Sequence, residues 1–121
     1  MQAYCHCTDC REFSGNPFFG AALFPAGKFR ILKGSDKLRS VNRSGRTERL
    51  FCSKCSSLML VKLAGIPFES VPGARLRGEI PFTPTIHVNY TSKVISIKDS
   101  LPKFKAFPSG PNPSPEELCE D

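Results

Sequence analysis

Tryptophan is absent from the 121-residue chain and tyrosine occurs twice, against ten phenylalanines. Any apolar core must therefore be built largely on Phe. No stretch approaches the roughly 18 consecutive apolar residues of a membrane helix, so a helical span is excluded. The N-terminus also lacks the basic head and apolar stretch of a secretory signal, and carries cysteines instead. A cytoplasmic, reducing compartment with free thiols is the expectation. No self-similarity recurs at a period of about 20 to 50 residues, which excludes solenoid and propeller architectures. Helix signals are scarce as well, because eleven prolines and nine glycines cut the chain into short pieces. With 40% hydrophobic and 23% charged residues, the composition is that of an ordinary globular chain and fits one domain.

The pieces are rich in Phe, Val, Ile and Thr, which suit pleated, half-buried positions, and the chain reads as all-β. Residues 18–24, flanked by Pro17 and Pro25, form an apolar run short enough for a buried strand. Residues 29–33 follow a Pro-Ala-Gly turn and place Phe29 and Ile31 opposite Arg30. Residues 37–42 and 47–51 alternate around Arg43-Ser44-Gly45, which predicts a hairpin. Residues 58–63 return on the far side of Cys52-Ser53-Lys54-Cys55, making that segment a knuckle at a hairpin tip. Residues 64–84 read as loop and irregular strand, and residues 85–90 with 94–98 as a last hairpin. An ordered domain over 1–107 is expected to give way to a Pro-rich, acidic, disordered tail over 108–121. Cys119 then falls outside the fold.

The formal net charge of +6 is concentrated. Lys28, Arg30, Lys33, Lys37, Arg39, Arg43, Arg46 and Arg49 are offset in that stretch only by Asp36 and Glu48. Such a run could meet nucleic acid or a substrate carboxylate; equally, it could be the solvated outer face of paired strands. No aromatic residue alternates with these charges, unlike a single-strand binding platform.

The cysteines carry the most chemistry. Five of the six lie in two clusters, Cys5-His6-Cys7-Thr8-Asp9-Cys10 and Cys52-Ser53-Lys54-Cys55. Thiols at two- and three-residue steps can be aimed at one point about 2.3 Å from each sulfur, which suits a thiophilic cation such as zinc. Disulfides within such short steps are geometrically constrained. Two arrangements are open. A closed site could draw on both clusters, for example Cys5, Cys7, Cys52 and Cys55, and hold only the fold. Alternatively, Cys5, Cys7 and Cys10 could bind one ion and leave its fourth position free for water or a substrate thiol, the mark of a catalytic centre. His6, between two ligands, is expected to point away from their ion. His87, in the apolar Ile86-His87-Val88, is either a hydrogen-bonded core imidazole or a polar contact in an active cleft. Arg11, directly after the triple, could equally face a substrate carboxylate or have only a surface role.

Taken in order, Cys5-His6-Cys7-Thr8-Asp9-Cys10-Arg11, Ser14-Gly15-x-Pro17-Phe18, Phe51-Cys52-Ser53-Lys54-Cys55, Pro84-x-Ile86-His87-Val88 and Asp99-x-Leu101-Pro102 resemble the glutathione-dependent formaldehyde-activating enzyme family, also called the CENP-V/GFA domain. The resemblance runs from Cys5 to about Pro108 and implies a β-tent zinc fold with two zinc sites. A three-cysteine site associated with activity and glutathione matches Cys5, Cys7 and Cys10. The second pair of a four-cysteine structural site matches Cys52 and Cys55. The implied activity is that of a carbon-sulfur lyase, joining a glutathione-type thiol to a small aldehyde such as formaldehyde, or the reverse. The implied partners are a thiol and an aldehyde. The family's other name leaves a non-catalytic module for nucleic acid or chromatin as the alternative. Two departures bear on this. Family members usually carry a Gly-x-Cys-x-Cys-Gly strand well before the triple, whereas only Met1 to Tyr4 precede Cys5. The domain is therefore expected to lack its first strand, and Cys52 and Cys55 their partners, leaving one or two zinc ions per chain. Ser56 also replaces the glycine usual after the knuckle, which strains the turn if that position has positive φ.

Overall fold

The structure, a computed structural model, describes residues 1–28, 30–43, 45–76, 78, 80–108 and 117–119. Strands dominate. They are β1 (Gln2–Cys5), β2 (Phe19–Pro25), β3 (Leu38–Val41), β4 (Thr47–Cys52), β5 (Leu58–Leu63), β6 (Phe68–Pro72) and β7 (Ile86–Val88). One short α-helix, α1 (Thr8–Ser14), joins them among the described residues. The fold class is all-β, as expected. None of the described helices is long and apolar enough to cross a membrane.

The chain divides into two compact units, Met1–Ala21 with Thr83–Asp121, and Ala22–Phe82. The first contains residues 19–21 of β2, and its strand order is β2-β1-β7; the rest of β2 belongs to the second. β1 and β7 run parallel with Ala3 opposite Ile86, Tyr4 opposite His87 and Cys5 opposite Val88. Strand alternation sends Ala3 and Cys5 inward, where they pack with Val88 against Cys7, Cys10 and Ile86. All three clustered cysteines and the start of α1 are therefore built onto a small apolar core.

Here the structure departs from three expectations. Residues 8–14 form a helix, where helix signals were scarce. Cys7 caps it, accepting the Cys10 N–H on its sulfur at 3.3 Å. Gly15, at φ 70°, ends it by donating to the Arg11 carbonyl. Cysteine is not a customary capping residue and seven residues give little periodicity, so the signal was faint. The final hairpin is not formed either. Asn89 turns left-handed at φ 54°, and residues 94–98 hold no strand. β7 instead exchanges backbone hydrogen bonds with Pro102 and Phe104, at 2.9 Å each. Asn is among the few residues that adopt that conformation readily, and it redirects the chain where hydrophobic alternation alone predicted continuation. Third, within the expected tail, Leu118 bridges Phe104, and Cys119 donates its N–H to the Lys103 carbonyl at 2.5 Å. Residues 109–116, 120 and 121 lie outside the described set.

In the second unit the order is β3-β4-β5-β6-β2. The β3–β4 hairpin forms as expected, pairing Leu38 with Cys52 and Val41 with Arg49. Residues 30–33 are not a strand, and Phe29 lies outside the described residues. β6, expected to be irregular, pairs antiparallel with β5, with Val61 opposite Ser70. Of the eight cations between positions 28 and 49, seven are exposed and Arg49 is buried. The solvated-face reading of that run therefore holds except at Arg49.

The knuckle between β4 and β5 forms as predicted. Cys52 accepts the Ser56 N–H at 2.7 Å and donates its own N–H to Ser57 at 2.8 Å. Ser56 adopts φ 64°, the conformation that the usual glycine would supply. A side chain in this region costs about 1–2 kcal/mol, partly offset by the lower unfolded-state entropy of a non-glycine residue. Ser56→Gly is expected to stabilise the chain by up to about 1 kcal/mol, read from the denaturant midpoint. A lowered midpoint would show that the Ser56 side chain makes up for the strain.

Candidate metal centre

Three elements deliver the three sulfurs. β1 ends at Cys5, whose side chain faces the small core; the next step of extended chain places His6 on the opposite side; Cys7 then caps α1. Cys10 follows one helical turn later, so it shares a face with Cys7. Their sulfurs all lie within 4.8 Å of one another, the one such group of metal-competent atoms among the described residues. Three sulfurs held about 2.3 Å from a tetrahedral zinc stand about 3.8 Å apart. The set is thus within a small contraction of a coordination shell and fits a metal ion. Asn89 donates an amide N–H to the Cys5 sulfur at 3.4 Å, placing a neutral donor beside a prospective thiolate.

The thiols do not titrate alike. Hydrogen bonds from Cys10 and Cys5, with the backbone N–H groups of Cys10 and Asp9, bring Cys7 down to about 2. Cys10 is pushed far above the ordinary thiol range by its hydrogen bonds to Cys5 and Cys7 and by burial. Cys5 is raised too: its hydrogen bond with Cys10 opposes the rise but is outweighed by Cys7 and burial. In the metal-free cluster one thiolate, Cys7, is stabilised by two neighbouring thiols. This is the state from which a soft cation can displace the remaining protons.

Beneath the cluster runs a polar chain that begins at two buried histidines and reaches the surface at Asp99. His6 and His87 are both fully buried. His6 Nε2 lies 2.9 Å from His87 Nδ1, and His87 Nε2 lies 2.8 Å from Asp99 Oδ2. Lys103 Nζ closes the far end at 2.8 Å from Asp99 Oδ1. The Lys103 ammonium, followed by the His87 contact and the Leu101 N–H, lowers the Asp99 carboxyl to about 2. Burial, then the neighbouring His87, lowers His6 to about 4, so it is neutral near pH 7. A carboxylate only accepts, so His87 carries its proton on Nε2. Across the His6 Nε2–His87 Nδ1 contact one ring donates and the other accepts. His6 Nδ1 is buried and has no partner among the described residues.

His6 thus points away from the sulfurs, as predicted, and is fully buried. His87 is a hydrogen-bonded core imidazole. Arg11 turns back on its own loop, donating Nε–H to the His6 carbonyl at 3.2 Å and Nη2–H to Thr8 Oγ1 at 3.1 Å. Two of its five N–H donors are committed there. Cys52 and Cys55 are not in the three-sulfur group and belong to the second unit. Cys55 is exposed, and its Sγ lies 3.2 Å from Ser57 Oγ. Ser57, through its hydroxyl and backbone N–H, and then Cys52, lower the Cys55 thiol to about 7. Residue-level reasoning did not single out Asn89, Asp99 or Lys103 as supports. For Asp99 a signal existed: a buried histidine in an apolar strand demands a polar partner.

A strand-rich protein with a preformed cluster of three cysteines able to hold a metal ion is the class these features define. Within that class, the chain belongs to the glutathione-dependent formaldehyde-activating enzyme family, whose model matches residues 1–92. The match contains all five clustered cysteines, His6, His87 and Asn89. Asp99 and Lys103 lie beyond it.

Proposed function

We propose that this chain is a zinc-dependent enzyme of the carbon-sulfur lyase type that joins a glutathione-type thiol to a small aldehyde such as formaldehyde, or separates them. The observation that carries the reading is the cluster of Cys5, Cys7 and Cys10 sulfurs, within 4.8 Å of one another, in a chain of this family. A zinc ion bound there would supply Lewis-acid stabilisation of a substrate thiolate in its fourth position. Cys5, Cys7 and Cys10 hold the ion, and Asn89 steadies the charge on Cys5. The Arg11 N–H groups not bonded to His6 or Thr8 are suited to a carboxylate of the thiol substrate. In the addition, the thiol sulfur bonds to the carbonyl carbon, the C=O π bond breaks onto oxygen, and the thiol proton ends on that oxygen. Atoms and charge balance without a redox partner. In this reading Cys52 and Cys55 provide two sulfurs of a second, structural site on a knuckle of backbone N–H groups.

The test is metal stoichiometry joined to turnover. The chain loaded with zinc should bind one ion on three sulfurs and a lighter atom by X-ray absorption, besides any ion held at Cys52 and Cys55, which Cys52→Ser with Cys55→Ser removes. It should also accelerate hemithioacetal formation from glutathione and formaldehyde, followed by NMR exchange. A single ion on four sulfurs, or exchange no faster than in buffer, would sink the proposal.

A further inference from the structure

We infer that His87 and Asp99 are positioning residues for the three-cysteine centre, setting through His6 where the Cys5 and Cys7 sulfurs stand. The inference rests on the reading of the triple as a metal site.

His6 is the residue between two of the ligands, and it is held at three points. Its N–H donates to the Val88 carbonyl at 3.1 Å, its carbonyl accepts from Arg11 Nε, and its ring meets His87. The ring is also confined, stacked on Phe18 with centroids 5.3 Å apart and edge-on to Tyr90 at 4.9 Å. Because successive side chains of an extended chain point to opposite sides, turning the His6 ring moves the Cys5 and Cys7 sulfurs the other way. The imidazole is a handle on the far side of the site.

The handle is anchored by residues remote in sequence. His87 is 81 positions from His6 and is itself held by Asp99. Asp99 is braced in turn: Lys103 Nζ bonds its carboxylate, its carbonyl at 3.3 Å and the Leu101 carbonyl at 3.1 Å, and the Leu101 N–H bonds Asp99 Oδ1 at 3.1 Å. Stability alone would not favour this arrangement. Two buried imidazoles, one with an unpartnered nitrogen, are costlier than an apolar pair of similar size. What a fully packed polar chain supplies is one fixed geometry. The sulfurs need that, since ligands held loosely bind metal weakly and outer partners of ligands typically govern affinity by about 10–100-fold.

Cobalt(II) binding to the full chain under reducing conditions tests this. Sulfur-to-cobalt absorption reads affinity, and the d–d bands read geometry. His87→Leu is expected to weaken Co(II) binding about 10–100-fold and to shift the d–d bands. His87→Asn, whose side-chain amide can take the place of Nδ1 as the partner of His6 Nε2, should restore most of both. A folded His87→Leu chain with unchanged affinity and bands overturns the inference. If His87→Leu does not fold, Asp99→Asn is judged by the same criteria. Failure of both to fold also overturns it, since the chain would then hold the unit rather than the sulfurs. An unaltered chain that takes up no Co(II) overturns the metal reading itself, and the inference with it.

Discussion

Cys7→Ser is expected to abolish high-affinity metal binding at the triple while leaving the fold in place. Cys7 has two separable roles. Its sulfur accepts the Cys10 N–H and so caps α1, and its thiolate, with a pKa of about 2, is the charge around which the other two thiols are arranged. Serine is among the best capping residues, so the first role survives the substitution. A serine hydroxyl does not ionise near neutral pH and is a poor partner for a soft cation, so the second role is lost. Thiolate-ligated zinc in small domains is bound by about 10–16 kcal/mol over four ligands. Losing one sulfur therefore corresponds to at least about a hundredfold in affinity. Zinc titration by calorimetry, beside far-UV circular dichroism of the metal-free variant, measures the two roles separately. Affinity within a few-fold of the unaltered chain would remove Cys7 from the ligand set. Loss of the circular dichroism signal would mean that its thiolate holds the helix in place.

The second large effect concerns acid. The folded-state pKa of His6 is about 4, lowered from 6.5 mainly by burial. Below pH 6.5 the unfolded chain takes up a proton that the folded chain refuses, so stability falls with pH through this window and levels off below about 4. The contribution is fully present above pH 6.5. A shift of this size corresponds to roughly 3 kcal/mol, of which about 2–3 kcal/mol falls between pH 7 and pH 4.5. Cys7 adds a slope across the same range because its thiolate is also favoured by folding. The His6 part is therefore the difference between the metal-free chain and His6→Leu, measured by urea denaturation at pH 7 and pH 4.5. The difference should shrink toward acid by about that amount. Parallel stability profiles would mean that the buried imidazole accepts its proton without strain. Below the ordinary carboxyl range, Asp99 adds a further loss, because its ion pair with Lys103 must be given up.

Legibility differed by type of signal. The β3–β4 hairpin, the strand at 58–63 and the Cys52–Cys55 knuckle were readable because alternation, turn residues and spacing act over a few neighbouring positions. The positive φ at Ser56 was legible for the same reason: turn geometry is local, and the position usually occupied by glycine showed what it required. Helix α1 was missed because its cap is a sulfur and its length only seven residues. The last hairpin was wrongly drawn because a single left-handed Asn89 outweighs the alternation around it.

By itself, the sequence determined that this is a strand-built protein with a three-cysteine cluster suited to a soft metal ion, and it named the family. Ligand type and short spacing are properties of adjacent residues, and no fold is needed to read them. Only the tertiary structure decided that His6 is buried, that it meets His87, and that Asp99 and Lys103 brace the pair. Those contacts join residues up to 81 positions apart, and they follow from the parallel pairing of β1 with β7. No periodicity encodes that pairing, because a parallel neighbour is chosen by the packing of the whole unit rather than by the turn that precedes it.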